Sequence, residues 1–285
     1  MEMSKTGLVL EGGAMRGLFS AGVIDVMMEH GLCFDGVIGV SAGAAFGCNY
    51  KSHQPGRVLR YNQLMARDRR YSSIGAFIKT GDLFNSPFCY HYVPTHIDVF
   101  DTATYNADPT DFQVVCTDVL TGGPVYKKLP CAGHEAFEWI RASASMPLAS
   151  RIVEIGNYKL LDGGVADSIP LQYFQKEGYK RCIVVLTQPL GYRKKKLKVL
   201  PLVRIALRKY PNMVHAMARR HIMYNRQLDY VAQEEHEGRA LVIRPPFKLP
   251  IGHLCHDPKQ MEQVHEIGRQ TALTYLQQIK DFLKQ

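Results

Sequence analysis

The stretch Gly36-Val37-Ile38-Gly39-Val40-Ser41-Ala42-Gly43 decides the fold class of this chain. Its first five residues form an apolar run, a serine follows, and the residues from 42 to 50 are rich in small side chains. This order predicts a short buried strand that ends at a sharp turn and leads into a helix. The pattern Gly-x-Ser-x-Gly is typical of a nucleophile elbow, in which the turn lifts the Ser41 hydroxyl out of the sheet and Gly39 and Gly43 permit close approach.

Around this stretch, apolar runs alternate with helical patterns. Residues 7–10 predict the first strand, and residues 18–29 predict a helix whose apolar positions share one face. Strand, helix and strand in this order form a right-handed crossover unit of a parallel sheet. The expected fold class is therefore α/β, with a last helix over residues 258–283. Further apolar runs that extend the sheet are residues 112–116, 182–186 and 240–243.

The loop between the first strand and helix, Glu11-Gly12-Gly13-Ala14-Met15-Arg16-Gly17, is rich in glycine. Its backbone N–H groups are expected to form an anion site. A phosphate-binding P-loop requires Lys and Ser or Thr where this chain has Leu18 and Phe19, and a dinucleotide fingerprint requires glycine at position 14. The functional interpretation that remains is an oxyanion hole made by the N–H groups of Gly13 and Ala14. The alternative is a tight turn without a ligand.

A second motif, Leu160-Leu161-Asp162-Gly163-Gly164, places an acid before two glycines that leave its carboxylate sterically open. An isolated Asp-Gly pair is usually a turn. A nucleophilic serine needs a base, however, and a carboxylate serves as one when its surroundings raise its pKa. Asp162 is therefore the candidate base for Ser41.

A histidine base is the alternative, because an ordinary α/β-hydrolase supplies Asp and then His after its elbow. Such an enzyme has several strands before the elbow, whereas only one strand and one helix are predicted before Ser41. Histidines do follow Asp162, but none lies in a recognisable motif. Each is interpreted as a surface or packing residue: His215, His221, His236, His253, His256 and His265.

In this order, the glycine loop, the elbow and the Asp-Gly-Gly motif resemble those of the patatin-like phospholipases. The block Arg141-Ala142-Ser143-Ala144-Ser145-Met146-Pro147 also resembles a small-residue stretch that members carry before the acid motif. The resemblance covers residues 5–190, interpreted as the catalytic domain, and residues 191–285 are expected to form a basic, largely helical segment packed on the same domain. Ala14 departs from the usual glycine, but alanine keeps its N–H, provided the site does not need a positive φ.

The resemblance implies a three-layer α/β/α fold with a mainly parallel central sheet. It implies hydrolysis of fatty acyl esters in phospholipids or lysophospholipids by a dyad of Ser41 and Asp162, without a histidine. Arg16 is expected to help shape the oxyanion loop, and Gly163 and Gly164 belong to the acid motif. The residues of the oxyanion loop are Gly12, Gly13, Ala14, Arg16 and Gly17.

The formal net charge of +9 is unevenly distributed along the chain. Residues 178–228 contain thirteen Lys and Arg and no Asp or Glu, whereas the rest of the chain has 22 basic and 26 acidic residues. This segment either meets an anionic partner or is a solvated face. Peripheral contact with an anionic membrane is expected, and the alternative function is a non-enzymatic membrane-binding protein that uses this segment. Nucleic acid is not expected, since no binding signature accompanies the charge.

Residues 197–210 mix apolar and basic side chains. They fit either an interfacial amphipathic helix that is broken early by Pro201 or a core-packing helix with a basic outer face. The aromatic residues between 81 and 92 line an acyl pocket, act as a lid or pack as an ordinary loop.

Seven cysteines without a Cys-x-x-Cys pair fit reduced thiols, and the first residues lack the apolar run of a secretory signal. No stretch reaches the roughly 20 apolar residues that a membrane span needs. The expected location is therefore cytoplasmic, with peripheral contact at the inner face of the membrane. The cluster His253-Leu254-Cys255-His256-Asp257 lacks a second spaced pair of ligands, so neither a metal nor a cofactor is expected.

Overall fold

The structure is a computed structural model that describes residues 5–68, 70–71, 75 and 81–284. An eight-stranded sheet forms its centre. The strands are β1 (Thr6–Leu10), β2 (Gly36–Val40), β3 (Asp111–Asp118), β4 (Pro124–Lys128), β5 (Val153–Ile155), β6 (Tyr158–Asp162), β7 (Arg181–Val185) and β8 (Ala240–Ile243). The helices are α1 (Gly17–Glu29), α2 (Ala42–Lys51), α3 (Arg57–Met65), α4 (Thr102–Ala107), α5 (His134–Ser143), α6 (Leu171–Lys176), α7 (Leu200–Ala206), α8 (Pro211–His236) and α9 (Pro258–Lys284). Two 3₁₀ turns, Ala14–Arg16 and Gly163–Val165, and a π-helix, Phe88–Ile97, lie between these elements.

The strand order is β5-β6-β3-β2-β1-β7-β8, with β4 beside β3. Neighbouring strands from β3 to β8 in this order are parallel. The remaining pairs, β3 with β4, β3 with β6 and β5 with β6, are antiparallel. The sheet is therefore mixed, with a parallel centre and an antiparallel edge.

Both faces of the parallel centre are buried, because successive side chains of a strand point to opposite faces. Leu8 and Val37 lie on one face, in a core that they share with α1, α2 and α9. Val9 and Ile38 lie on the other face, together with α6 and α8. Helices on both faces confirm the three-layer α/β/α fold with a mainly parallel sheet.

The antiparallel edge contains three strands, β4, β5 and β6, that the apolar runs of the sequence do not indicate. Their residues include Lys127, Glu154 and Lys159, which are polar and at least partly exposed. Antiparallel strands at an edge expose one face to water, so they need no continuous apolar run. This edge matters for function, because β6 ends at Asp162.

The C-terminal helix α9 packs closely on α1 through glycines. A Cβ on Gly22 would lie 2.1 Å from the carbonyl oxygen of His265, and a Cβ on Gly268 would lie 2.1 Å from that of Phe19. Across the same interface, the buried His265 Nε2 lies 2.7 Å from Asp25 Oδ2. Helix α9 and strand β8 thus join the last part of the chain to the sheet, whereas the domain division at residue 190 stays a prediction.

The short helix α7 begins next to Pro201 instead of being broken by it. A proline in the first turn of a helix costs little, since its missing N–H would have no partner there. Val203 is buried against α8, whereas Leu202 and Ile205 are 55% and 71% exposed. The helix therefore has one packed side and one apolar side that faces solvent. None of the helices in the described ranges combines the length and the apolar composition that crossing a bilayer requires.

Candidate active site

Strand β3 pairs with both β2 and β6, and this brings the ends of β2 and β6 together. Val40, the last residue of β2, is opposite Val115, and Asp162, the last residue of β6, is opposite Cys116. Because β4 occupies the other edge of β3, strands β2 and β6 meet end to end on the same edge. The register therefore places Ser41, which follows β2, beside Asp162.

Ser41 and Asp162 form a direct hydrogen bond. The Ser41 hydroxyl donates to Asp162 Oδ2 at 2.6 Å, and the Gly164 amide donates to Oδ1 at 2.8 Å. Both side chains are buried. The two hydrogen bonds use both carboxylate oxygens, so the orientation of the acid toward the serine is determined by its own loop.

Burial raises the pKa of Asp162 above that of a free aspartate. The positive charge of Arg220 and the hydrogen bonds from Ser41 and the Gly164 amide oppose this effect without cancelling it. A carboxylate with a raised pKa is a better proton acceptor near neutral pH. This is the property that a base for Ser41 requires.

The turn at Ser41 has the backbone geometry of a nucleophile elbow, with φ 56° and ψ −120°. A Cβ on Gly39 would lie 2.4 Å from the carbonyl oxygen of Gly43, and a Cβ on Gly43 would lie 2.3 Å from that of Leu10. Such distances exclude any side chain at the two positions. The glycines of the motif therefore permit the turn that exposes the Ser41 hydroxyl to a cavity.

Ser143 holds the elbow from the opposite side. Its hydroxyl accepts a hydrogen bond from the Ser41 amide at 3.0 Å and donates to the carbonyl oxygen of Val115 at 2.6 Å. The sequence signal for this contact was the small-residue block 141–147, which does not by itself identify Ser143. Only the position of α5 beside β3 shows which serine of the block reaches the elbow.

The glycine loop is anchored by Glu11, whose carboxylate is buried. Its Oε2 accepts hydrogen bonds from the amide and the hydroxyl of Thr187, at 2.6 and 3.1 Å, and its Oε1 accepts one from the Tyr224 hydroxyl at 2.6 Å. A Cβ on Gly12 would lie 2.8 Å from Ser41 Cβ, so the loop passes directly over the elbow. The loop and the serine are thereby held at one site.

The amides of Gly13 and Ala14 donate no hydrogen bond to any other described residue. Ala14 has φ 49°, which is the left-handed region. The condition that position 14 does not need a positive φ is therefore wrong. Alanine adopts the positive φ at a cost of about 1 kcal/mol relative to glycine. The N–H of Ala14 remains in the loop.

The remaining glycines of the motifs also lie at close contacts. A Cβ on Gly13 would lie 2.7 Å from Thr187 Oγ1, and one on Gly17 would lie 2.8 Å from Ala42 Cβ. A Cβ on Gly163 would lie 2.0 Å from the carbonyl oxygen of Val115. The glycine loop, the elbow and the acid motif thus meet at the ends of β2 and β6.

Ser41 lies between two cavities of different character. The first, of about 120 Å³, is mainly apolar, and its lining includes Phe46, Phe84, Tyr90 and Phe137. Two of these come from the aromatic stretch 81–92, which favours the acyl-pocket interpretation of that stretch. The second cavity, of about 200 Å³, has a mixed lining, and we call it the polar cavity for its charged and titratable side chains, which are Glu11, Arg16, Asp162, Lys194, Arg220 and His253.

Two residues at this second cavity, Lys194 and Arg220, carry no local sequence signal. Arg220 Nε donates to the carbonyl oxygen of Gly164 at 2.6 Å, so it braces the acid motif. Among the described residues, no histidine forms a hydrogen bond with the side chain of Ser41 or Asp162. The histidine that lines the cavity is His253, and its Nε2 lies 3.5 Å from Arg16 Nη1. The geometry therefore gives a serine-aspartate pair without a histidine.

A sequence model of the Patatin-like phospholipase family matches residues 8–174, more than half of the chain. This chain belongs to the patatin-like phospholipase family. A second match, to the Domain of unknown function (DUF6363), covers residues 210–284 of this patatin-like protein and includes α8, β8 and α9. The residues that brace the site from α8, Arg220 and Tyr224, lie in that second region.

Known relatives resemble this patatin-like protein over part of their length. The uncharacterized protein YjjU of Escherichia coli K12 is 29% identical over 65% of this chain and 52% of its own. The lysophospholipase NTE1 of Debaryomyces hansenii is 29% identical over 63% of this chain and 11% of its own. The chain thus spans about half the length of the first relative and about a ninth of the second.

Among solved structures, VipD from Legionella pneumophila aligns with 96% of this chain and 67% of its own, with a TM-score of 0.47 and 11% identity.

Proposed function

We propose that this protein is a serine acyl hydrolase that cleaves fatty acyl esters of phospholipids or lysophospholipids. The observation that carries the proposal is the 2.6 Å hydrogen bond between Ser41 Oγ and Asp162 Oδ2, at a point where an apolar cavity and a polar cavity meet. Membership of the patatin-like phospholipase family and the similarity to a lysophospholipase support a lipid ester as substrate.

The proposed reaction is acyl transfer through Ser41. Asp162 accepts the proton of the Ser41 hydroxyl, while Oγ attacks the carbonyl carbon of the ester. The amides of Gly13 and Ala14 stabilise the negative oxygen of the tetrahedral intermediate. The bond to the leaving alcohol then breaks, and the proton on Asp162 passes to the alcohol oxygen.

The resulting acyl-enzyme is hydrolysed by the same residues. Asp162 accepts a proton from water, whose oxygen attacks the acyl carbon, and the bond to Ser41 Oγ breaks. The proton returns to Oγ, and the fatty acid leaves. An oxyanion donor is worth about 2.7–4 kcal/mol where its removal has been measured, so the loop around Gly13 contributes as a catalytic part in its own right.

The apolar cavity is suited to the acyl chain. Its lining includes Phe46 and Ala45 of α2 and Ile140 of α5, which follow or face the elbow. Burial of a chain there removes apolar surface from water at about 25 cal/mol per Å². The alcohol part of the ester would then lie on the opposite side of Ser41, in the polar cavity.

A fluorophosphonate probe is expected to label Ser41 alone, because only an activated hydroxyl attacks phosphorus quickly. The labelling rate should fall as the pH is lowered through the raised pKa of Asp162, since the protonated acid cannot accept the serine proton. The midpoint should lie above the value of about 3.9 for a free aspartate. Peptide mass mapping locates the adduct, and circular dichroism at each pH verifies that the protein is folded.

An unlabelled Ser41 in folded protein would contradict the hydrolase and favour the non-enzymatic membrane-binding alternative. If the labelling rate did not depend on pH down to about 4, Ser41 would remain the proposed nucleophile, but Asp162 would be excluded as its base.

The second part of the proposal is that the protein is cytoplasmic and makes peripheral contact with an anionic membrane, at the inner face of that membrane. Support comes from the exposed apolar side of α7, with Leu202 and Ile205, which follows the exposed lysines Lys195, Lys196 and Lys198. Apolar and basic side chains exposed next to each other are typical of segments that bind at a membrane surface.

Vesicle binding should therefore require anionic lipid and low salt. Lysines near an anionic surface contribute about 1 kcal/mol each, and the Debye length falls from about 10 Å at 0.1 M to 3 Å at 1 M salt. Replacing Lys195, Lys196 and Lys198 by Gln should reproduce the high-salt result in sedimentation with phosphatidylglycerol vesicles. The matched control replaces three exposed lysines outside the segment, Lys176, Lys248 and Lys259. Equal binding to neutral and anionic vesicles would contradict the role of the lysines, and no binding to either kind of vesicle would remove the membrane from the proposal.

A further inference from the structure

Three cationic side chains converge on the polar cavity beside the dyad. Arg16 comes from the glycine loop, Lys194 from the segment after β7, and Arg220 from α8. These elements lie far apart in the sequence, and each of the three side chains is half-buried. The cluster is therefore formed by the fold and is distinct from the exposed lysines of the basic segment.

Among the residues that the structure describes, the three cations have no carboxylate as a direct ion-pair partner. Within the described ranges, none of them lies within 4.0 Å of a carboxylate oxygen, in contrast to neighbours such as Arg193, which pairs with Asp229. Arg220 uses Nε for the Gly164 carbonyl oxygen, and the buried Arg16 Nε has no hydrogen-bond partner among the described residues. Half-buried charges without a direct ion-pair partner are costly, and a bound anion would compensate them.

The two carboxylates that line the cavity are already occupied. Glu11 accepts from Thr187 and Tyr224, and Asp162 accepts from Ser41 and the Gly164 amide. Their two negative charges offset part of the positive charge of the three cations, so the cavity keeps an excess of one positive charge, and both oxygens of each carboxylate already accept a hydrogen bond.

The pKa of Lys194 is lowered by burial and in part by the positive charges of this cavity. Its Nζ lies 4.4 Å from the centre of the Tyr224 ring, which orients the amine at the cavity wall. Burial and then the positive charges of Arg220 and Arg16 lower the pKa of Lys194 to about 8, although Glu11 and Asp162 oppose this. Even so, the amine is mostly protonated at neutral pH.

We infer that the polar cavity binds a phosphate monoester carried by the leaving alcohol, so that the preferred substrates are acylated glycerol phosphates. The inference rests on the proposed hydrolase function. Guanidinium groups bind phosphate oxygens through paired N–H groups, and an ammonium adds a point charge. Since Ser41 lines both cavities, a single ester can place its acyl chain in the apolar one and its phosphate in the polar one. A phosphocholine group fits less well, because its ammonium would meet cations and no free carboxylate.

The first test measures binding without turnover. Glycerol 3-phosphate should bind the full-length protein in titration calorimetry, and glycerol at the same concentration should not. Lys194→Gln should weaken this binding by about tenfold, the loss expected for one charge-assisted hydrogen bond, and Lys194→Arg should retain most of it. The matched control is Lys195→Gln, which removes the same charge from an exposed neighbour outside the cavity lining.

The second test compares kcat/KM for three esters with the same hexanoyl chain, which is short enough to avoid micelles and vesicles. The alcohols are glycerol 3-phosphate, glycerol and glycerophosphocholine. The phosphate monoester should be preferred over the neutral ester, and Lys194→Gln should lower the ratio of the two kcat/KM values by about tenfold. Equal values for the monoester and the phosphocholine ester would overturn the monoester assignment.

The two tests separate the inference from the proposed function. Binding of glycerol 3-phosphate without hydrolysis of any ester would contradict the hydrolase and leave the phosphate site standing. Hydrolysis with the same kcat/KM for the phosphate and neutral esters, unaffected by Lys194→Gln, would overturn the phosphate site and leave the hydrolase standing.

Discussion

Ser41→Ala and Asp162→Asn are each expected to lower ester hydrolysis by at least about 10³-fold, because nucleophile and base act as one unit. The side-chain oxygen that Asp162→Asn retains can still accept the hydrogen bond from the Gly164 amide, so the fold should survive while the proton acceptor is lost. The double variant should be no slower than either single variant, since their losses are not additive. Initial rates on a soluble short-chain ester measure the effect, and circular dichroism verifies the fold.

Asp167→Asn is the matched control for the acid. Asp167 lies five residues after Asp162, is also buried, and has a pKa that burial likewise raises. Its carboxylate accepts hydrogen bonds from Tyr126 and Gln227, whereas the Ser41 hydroxyl donates to Asp162. This variant should keep most of the activity. If Asp162→Asn kept more than about a tenth of the wild-type rate, a different base would have to be sought, beginning with His253 at the cavity.

Gly163→Ala is the prediction with the next largest effect. The added methyl group would lie 2.0 Å from the carbonyl oxygen of Val115, which is backbone, so the acid loop must move away from β3. A displacement of about 1 Å costs on the order of 10²-fold in rate, because the proton must pass between Ser41 Oγ and Asp162 at hydrogen-bond distance. We therefore expect kcat/KM to fall by about 10²-fold or more.

Gly123→Ala provides the comparison, since an added Cβ there meets only Thr121 Oγ1 at 3.5 Å. It should retain wild-type activity and melting temperature. The melting temperature of Gly163→Ala must be measured together with its rate, because overpacking is expected to lower the free energy of unfolding by about 1–3 kcal/mol. Wild-type activity in a folded Gly163→Ala protein would show that the acid loop tolerates displacement.

The sequence predicts the elements whose signals are local. The apolar runs of β1 and β2 and the glycines around Ser41 follow from backbone geometry over a few residues, and the structure contains both strands and the elbow. Strand β6 is harder to predict, because an antiparallel edge strand needs no continuous apolar run. The partnership of Ser41 with Asp162 depends on the register of β3, over 121 residues of sequence separation. It is predicted from the need of the serine for a base and from the family resemblance, and no local pattern indicates the contact itself.

The polar cavity could not be predicted from the sequence. Lys194 stands in the run 193–198 beside lysines of the same type, and nothing local distinguishes the one that turns inward from those that stay in water. Arg220 is likewise one of several arginines in α8. Their roles follow from how α8 and the segment after β7 pack over the glycine loop, which is a tertiary property.

The division of the site between two parts of the chain has a consequence for how substrate choice can evolve. Ser41 and Asp162 lie in the part matched by the patatin-like family, whereas Arg220 lies in the part matched by DUF6363 and Lys194 between the two. Substitutions in the later part can change which side chains of the cavity contact an alcohol group while Ser41 and Asp162 stay the same. The condition is that the Tyr224 hydroxyl still donates its hydrogen bond to Glu11. Two of the three cations of the proposed phosphate site are thus encoded apart from Ser41 and Asp162, and a lineage can alter these two without changing the proposed nucleophile and base.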